Sequence, residues 1–280
     1  MNSKCDLHTH SVFSDGTWTP EQIVEESEAL GLAAVALCDH NTIDGLDRFI
    51  SAARGKNLLA VPGVEFSTEY KGSELHILGL NIKPQYYSQV KSRLADFLIR
   101  KEKQNVALVN TLAGLGYHVD YYKLKSSSVS GNINRSHIAA ELVRQGYFET
   151  RQQAFNSLLN PQCGYYHPAK QPSALETIRF IRDISAVPVL AHPLRSVGEP
   201  LLLDFLSQAV PAGLAAMETV YSDCEEKLLK RSEEICARFS LLPSGGTDFH
   251  GDKKPDIKLG SGRGNLSIPY EYCLNILQVL

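Results

Sequence analysis

Nine side chains that can donate a nitrogen or oxygen to a cation recur in one local pattern: His8, His10, Asp15, His40, Glu65, His76, His192, Asp248 and His250. The first three lie in the stretch from Cys5 to Gly16. Two histidines spaced i and i+2 on a strand there would turn His8 and His10 to one face, and so to one ion. An isolated pair of this kind is as readily a solvated edge strand. Its pattern repeats, however, in apolar runs that end in a carboxylate, a histidine or both: 34–40, 59–65, 188–192 and 241–250. Buried parallel strands read as continuous apolar runs, and α/β enzymes carry their chemistry where such strands end. Five strand ends are therefore expected at one mouth.

A catalytic zinc takes three protein ligands and keeps a position open, so nine donors imply two or three divalent ions. The lack of cysteine among them points to zinc, manganese or iron. Glu65 is the natural bridge, because each carboxylate oxygen can face a different cation. Asp39, just before His40, is either an acceptor for the free N–H of a liganding imidazole or a helix N-cap. His76, in the second arm of an expected hairpin, points away from the Leu75 face and reads equally as an ordinary sheet residue.

A different chemistry is suggested by Asn134-Arg135-Ser136-His137 at the start of a helix. Arginine presents a bidentate fork to phosphate oxygens, and a helix N-terminus favours anions. Arg135 and His137 are the expected phosphate grip, and with Glu65 and Asp248 they make up the expected catalytic group. Replacing Arg135 by alanine should weaken binding and turnover and leave metal content intact. His118 reads as a loop residue, His167 as a loop residue or a lining of the cleft, and Tyr221 as core packing or a ring over the site.

The elements that must position these residues alternate as β and α. Thr19-Pro20-Glu21-Gln22 is a capping box with proline at the first helical position, opening a helix to Gly31. A strand at 33–38, a helix at 43–54, a strand at 58–61 and a hairpin of 64–70 with 74–82 follow. Residues 86–113 then carry helical periodicity, a polar stretch runs from Lys123 to Gly131, and helices are expected at 135–145 and 150–159. Alternation resumes with a helix at 173–184, strands at 187–191, 214–220 and 241–246, helices at 201–209 and from Asp223 to Phe239, and a closing helix at 270–280. The expected division is a barrel in two parts, 1–84 and 169–280, with a small helical insertion at 85–168.

At 280 residues and 43% apolar content the chain can bury a proper core. With 28 basic against 31 acidic residues, the net charge of −3 gives no general affinity for long duplex nucleic acid, and a small anionic substrate fits better. The six cysteines form no Cys-x-x-Cys pair, the N-terminus lacks a signal pattern, and no apolar run approaches a membrane span of ~20 residues. These features read as a reduced, cytoplasmic protein without a membrane partner.

Taken in order, His8-Thr9-His10, Ser14-Asp15-Gly16, Asp39-His40, Gly63-Val64-Glu65, His76, Ala191-His192-Pro193 and Gly245-Gly246-Thr247-Asp248-Phe249-His250 resemble the polymerase and histidinol phosphatase (PHP) superfamily of metal-dependent phosphoesterases. The resemblance spans the chain. It implies a distorted (β/α)7 barrel with a trinuclear site: His8, His10, Glu65 and Asp248 on one ion, Glu65, His76 and His192 on a second, Asp15, His40 and His250 on a third. The insertion with Arg135 and His137 is similar to the branch that removes the 3′-phosphate of nucleoside 3′,5′-bisphosphates or trims short RNA from its 5′ end. One departure lies at Met217 to Cys224, where many relatives show Gly-Ile-Glu-Val-Tyr followed closely by a histidine.

The implied activity is hydrolysis of a small phosphate ester by a metal-activated hydroxide attacking phosphorus in line, with Arg135 neutralising charge on the equatorial oxygens. His137 would orient the phosphate or protonate the leaving oxygen. The rival readings are a histidinol phosphate phosphatase, an amidohydrolase-like hydrolase, and a noncatalytic metal-binding adaptor.

Overall fold

The computed structural model describes residues 3–129, 131–167, 169–222 and 225–279. Seven strands form one sheet in chain order: β1 (Cys5–Thr9), β2 (Ala34–Leu37), β3 (Leu59–Tyr70), β4 (Ser73–Leu80), β5 (Val187–Leu190), β6 (Ala216–Tyr221) and β7 (Leu242–Gly246). Neighbours are parallel except that β4 runs antiparallel to both β3 and β5. The sheet nearly closes on itself. Just past β7, the Asp248 N–H donates to His8 O at 3.0 Å and the His10 N–H donates to Phe249 O at 2.9 Å. Gly246 permits that approach, since a Cβ there would lie 2.2 Å from the His8 Cβ.

Alternate strand residues separate two cores, as the pleat requires. Inside the barrel Cys5, Leu7, Ala34, Ala36, Val61, Leu78, Val189 and Ala216 pack together, small enough to fill a narrow ring. α11 (Tyr270–Leu277) joins this core through Cys273 and Ile276 and seals the end where the strands begin. On the outer face, Val35, Leu37, Val64, Phe66 and Ile77 meet the apolar stripes of α1 (Pro20–Ala29), α2 (Leu46–Ala52), α7 (Ala174–Asp183) and α9 (Glu199–Ala209). α1 begins at the expected capping box, Thr19 with Gln22. α7 buries Ala174, Thr177, Ile178 and Ile181, one face at helical spacing.

Between β4 and α7 lie α3 (Tyr87–Gly114), α4 (Tyr121–Ser127), α5 (Arg135–Arg144) and α6 (Arg151–Ala154), which runs into a π turn at Phe155–Leu159. They share a third core around Leu112, Ile138, Leu142 and Leu159. α8 (Pro193–Ser196) and α10 (Glu226–Arg238) flank β6 in sequence. No helix among the described residues is long and apolar enough to cross a membrane.

Several local expectations change. The two segments 58–61 and 64–70 are one strand, β3, because Pro62 still offers its carbonyl to Ile82 N at 2.9 Å and the ladder runs through. A helix, α4, occupies much of the polar stretch from Lys123, opened by the Asp120 carboxylate accepting from Lys123 N. The helix expected at 43–54 starts only at Leu46, since Thr42 and Asp44 close a turn on each other. The helix expected at 150–159 is α-helical only to Ala154. Asp223, the expected start of the helix running to Phe239, lies with Cys224 outside the described residues, and α10 runs from Glu226.

Candidate metal centre

All nine donors stand at the end of the barrel where the parallel strands finish. His8 and His10 leave β1, His40 follows β2, Glu65 lies within β3, His76 within β4, His192 follows β5, and Asp248 and His250 follow β7. Asp15 reaches in from the turn after β1, its carboxylate 3.3 Å from His250 Nε2 and 3.8 Å from His40 Nε2.

Glu65 occupies the centre and is fully buried. Its Oε1 faces His76 Nδ1 at 2.7 Å and His192 Nε2 at 3.1 Å; its Oε2 faces His8 and His10 Nε2, each at 3.3 Å, and His40 Nδ1 at 2.9 Å. The two oxygens thus look into two different groups of imidazoles, the geometry a bridging carboxylate needs. Burial opposes the Glu65 charge, yet His40, His76 and His8 hold its pKa well below the usual carboxylate range. Asp15 and Asp248 are likewise held low against burial, by His250 and His40 in the first case and by Lys254, His250 and Arg195 in the second.

Three sets of donor atoms, each mutually within 4.8 Å, can hold an ion: His8, His10, Glu65 and Asp248; His10, Asp15, His40 and His250; and His40, Glu65 and His76. The last differs from the expected second group in containing His40 where His192 was named, although His192 still faces Glu65 Oε1. His10 Nδ1, Asp15 Oδ1, His40 Nδ1 and Glu65 Oε2 are buried and make no hydrogen bond of regular geometry, close though some of them lie to one another. His8 and His10 also present Nε2 to each other at 3.0 Å. Convergent lone pairs that the protein leaves unmatched suit divalent cations.

Four of the imidazoles are locked from behind. Glu218 Oε1 lies 2.9 Å from His8 Nδ1, Ser196 Oγ 2.9 Å from His192 Nδ1, the Asp248 carbonyl 2.7 Å from His250 Nδ1, and Glu74 Oε1 3.1 Å from His76 Nε2. The carboxylates and the carbonyl can only accept, and the Ser196 hydroxyl directs its own proton to His192 O at 3.3 Å, so each contact favours a proton on the outer nitrogen and leaves the inner one free to face an ion. Glu218 Oε2 also accepts the His192 N–H at 2.6 Å, where the His192 backbone is left-handed with φ of 30°. Asp248 divides in the same way, with Oδ1 3.1 Å from His10 Nε2 and Oδ2 accepting from Arg195 and Lys254, each at 2.9 Å.

Two strand irregularities fall on this network. β1 carries an extra residue against β2 between Asp6 and Thr9, and β6 carries one against β7 between Glu218 and Val220. A bulge re-aims the side chains around it. Here the two bulges bracket the residues that meet, His8 and Glu218.

Arg135 and His137 stand at the N-terminus of α5, over the same end of the barrel. The Arg135 guanidinium lies 4.4 Å over the Tyr166 ring and donates to Leu159 O at 3.1 Å, so it is held in place before any anion arrives. Arg135, Lys101 and Tyr166 line one hollow with Asp15, His40 and His76. Lys101 Nζ donates to Asn134 Oδ1, the cap residue of α5, and the Asn134 N–H donates to His137 Nδ1 at 3.0 Å. That last bond leaves the His137 proton on Nε2. Burial and Lys253 push the His137 pKa down to about 4, and burial pushes Lys101 down to about 8.

Asp39 departs from both expectations: its carboxylate accepts from Ser11 N and from the hydroxyls of Ser11 and Ser14, at 2.6–2.8 Å, and so ties down the turn that carries Asp15. The neighbour of His167, Tyr166, lines the hollow while His167 itself is exposed. His118 is an exposed loop residue, and Tyr221 is 1% exposed in the barrel wall. Sequence reasoning missed Glu218, Glu74, Lys101, Arg195 and Lys254. Glu218 had a signal, a carboxylate at the end of an apolar strand, and Glu74 had one, two residues before His76 on the same strand. Lys101 had none, because its place depends on the packing of α3 against α5.

Residues 6–157 match the PHP domain, more than half of the chain. The chain is 33% identical over 262 residues to a 5′-3′ exoribonuclease of Haemophilus influenzae, covering 89% of this chain and 91% of the relative. The chain belongs to the PHP family. It is also 27% identical to the phosphoribosyl 1,2-cyclic phosphate 1,2-diphosphodiesterase of Eggerthella lenta (88% and 94% covered). To the 3′,5′-nucleoside bisphosphate phosphatase of Chromobacterium violaceum it is 28% identical (88% and 86% covered). Among solved structures, a protein of Bifidobacterium adolescentis described as a "putative metal-dependent phosphoesterase" superposes with a TM-score of 0.87 at 28% identity, over 99% of this chain and 96% of the other. The barrel is the distorted (β/α)7 form that the resemblance implied, and the protein is a metal-dependent phosphoesterase.

Proposed function

We propose that this PHP enzyme removes the 3′-phosphate of nucleoside 3′,5′-bisphosphates or releases nucleotides from the 5′ end of short oligoribonucleotides. The observation that carries the reading is the hollow in which Arg135 and Lys101 face Asp15, His40 and His76, a cationic wall opposite a bowl of metal donors. Residues 85–168 are read as an insertion whose task is to hold that wall over the barrel formed by 1–84 and 169–280. Similarity to relatives named for exoribonuclease and bisphosphate phosphatase activity supports the choice of substrate. The free cysteines among the described residues fit a reducing cytoplasm.

In this reading His8, His10, Glu65 and Asp248 hold one cation, Glu65 with His76 and His192 a second, and Asp15, His40 and His250 a third, with manganese, iron or zinc all compatible with the donor set. Divalent cations bound there would polarise the phosphoryl oxygens and make water a nucleophile at neutral pH. Arg135 grips the phosphate with two N–H groups at a fixed angle, set by the Tyr166 ring and Leu159 O. His137 acts as a neutral Nε2–H donor that orients a phosphate oxygen. Its low pKa makes it a poor source of the leaving-group proton, and Lys101, pushed to about 8, is the better one. Arg195 and Lys254 hold Asp248 in place from the side away from the bowl.

The test is a phosphate- and nucleotide-release screen with matched metal analysis, across nucleoside 3′,5′-bisphosphates, 5′-phosphorylated dinucleotides, histidinol phosphate and amide substrates. Highest kcat/KM on one of the first two is expected. Preference for histidinol phosphate or an amide, or full metal content with no phosphoester turned over, would refute the reading.

A further inference from the structure

A second hollow opens on the helical segment beside the first. Leu98, Ile99, Glu102, Tyr121, Lys125 and Ile133 wall it, and it shares Lys101 and Asn105 with the hollow facing the metal donors. At the shared wall Lys101 donates to Asn134 and Asn105 Nδ2 donates to Ile133 O at 2.8 Å, so the loop before α5 borders both spaces, Asn134 on the first and Ile133 on the second. Two lysines stand against one carboxylate here. Lys125 is paired with Glu102, and both side chains are over one-third exposed, so an incoming anion can reach the ammonium. Asn105, Asn132 and Gly131 apart, the rest of the wall is Leu98, Ile99, Tyr121 and Ile133, with Ile99 more than half exposed. A cation next to an apolar, aromatic-lined space is what a phosphodiester followed by a base requires.

We infer that the second hollow is a subsite for the phosphodiester and nucleoside one step along from the ester being hydrolysed, making oligoribonucleotide length a property that this site reads. The inference rests on the phosphoesterase reading above, which puts the ester being hydrolysed in the first hollow. Lys125 neutralises the additional phosphate, Glu102 opposes it, and Lys101 stands between the two spaces.

The experiment measures binding of a 3′-labelled, 5′-phosphorylated trinucleotide to the full chain by fluorescence anisotropy, with a nucleoside 3′,5′-bisphosphate as competitor. Lys125→Ala should weaken the trinucleotide roughly five-fold relative to the bisphosphate, the upper end of what one solvent-exposed charge pair contributes. Its salt slope should fall by about 0.7, the share of one phosphate contact on a single strand. Glu102→Gln should act in the opposite direction and tighten the trinucleotide, an effect that misfolding cannot imitate. An unchanged ratio of the two affinities in both variants overturns the subsite. Because binding is read rather than turnover, an enzyme that hydrolysed neither ligand would count against the functional reading and would leave this comparison intact.

Discussion

Replacing Glu218 by glutamine changes one atom of a buried residue and should damage a site that Glu218 does not itself line. The carboxylate is fully buried, with one oxygen 2.9 Å from His8 Nδ1 and the other 2.6 Å from the His192 N–H. Both partners are donors, so the glutamine amide can satisfy only one of them. The other faces an NH2 group. Losing a charge-assisted hydrogen bond in a buried site costs about 1.5–3 kcal/mol. Carboxylates that back a liganding histidine are worth roughly 10–100-fold in metal affinity or activity, which at about 1.4 kcal/mol per decade is the same range. Metal affinity and kcat/KM should therefore each fall about 10- to 100-fold. The metal-free protein should melt roughly 3–12 °C lower, at ~2–4 °C per kcal/mol for a chain of this size. Chelator-competition titration gives the affinity, steady-state phosphate release the rate, and a thermal melt the stability. If the variant bound its metals as tightly as wild type and turned over within two-fold of it, the role assigned to Glu218 would be wrong.

Arg135→Ala should cut kcat/KM by about 10–100-fold while metal content by elemental analysis stays at the wild-type level, since Arg135 touches no proposed ligand in the structure; metal lost with the arginine would contradict that separation. Tyr166→Ala should cost about 2- to 30-fold in the same rate by freeing the guanidinium, and should cost nothing further once Arg135 is already alanine. The stability of the protein should fall as pH drops from about 6.5 through about 4, because buried His137 stays neutral where an unfolded histidine gains a proton. A pH series of melts should show that dependence weakened in His137→Gln, and an identical pH slope in both proteins would exclude His137 as its source.

Most of the candidate donors were legible because they belong to short motifs near strand ends, and strand ends in a β/α alternation converge by topology alone. His8-Thr9-His10, Gly63-Val64-Glu65 and Thr247-Asp248-Phe249-His250 name their own chemistry before any fold is known. The capping signals at Thr19 and Ser173 mark two helix starts for the same reason, that the interaction closes within four residues. Asp39 was misassigned because its partners, Ser11 and Ser14, lie 28 and 25 residues away in the turn after β1.

From the sequence alone came the donor set, the barrel alternation and the arginine-histidine pair, all of them consequences of residue type and near spacing. The tertiary structure alone decided which oxygen of Glu65 faces which imidazole, that the bulges in β1 and β6 bring His8 onto Glu218, and that Lys101 reaches Asn134 at the cap of α5. Bulges and helix-to-helix contacts depend on how distant segments pack, and no periodicity within one segment records them.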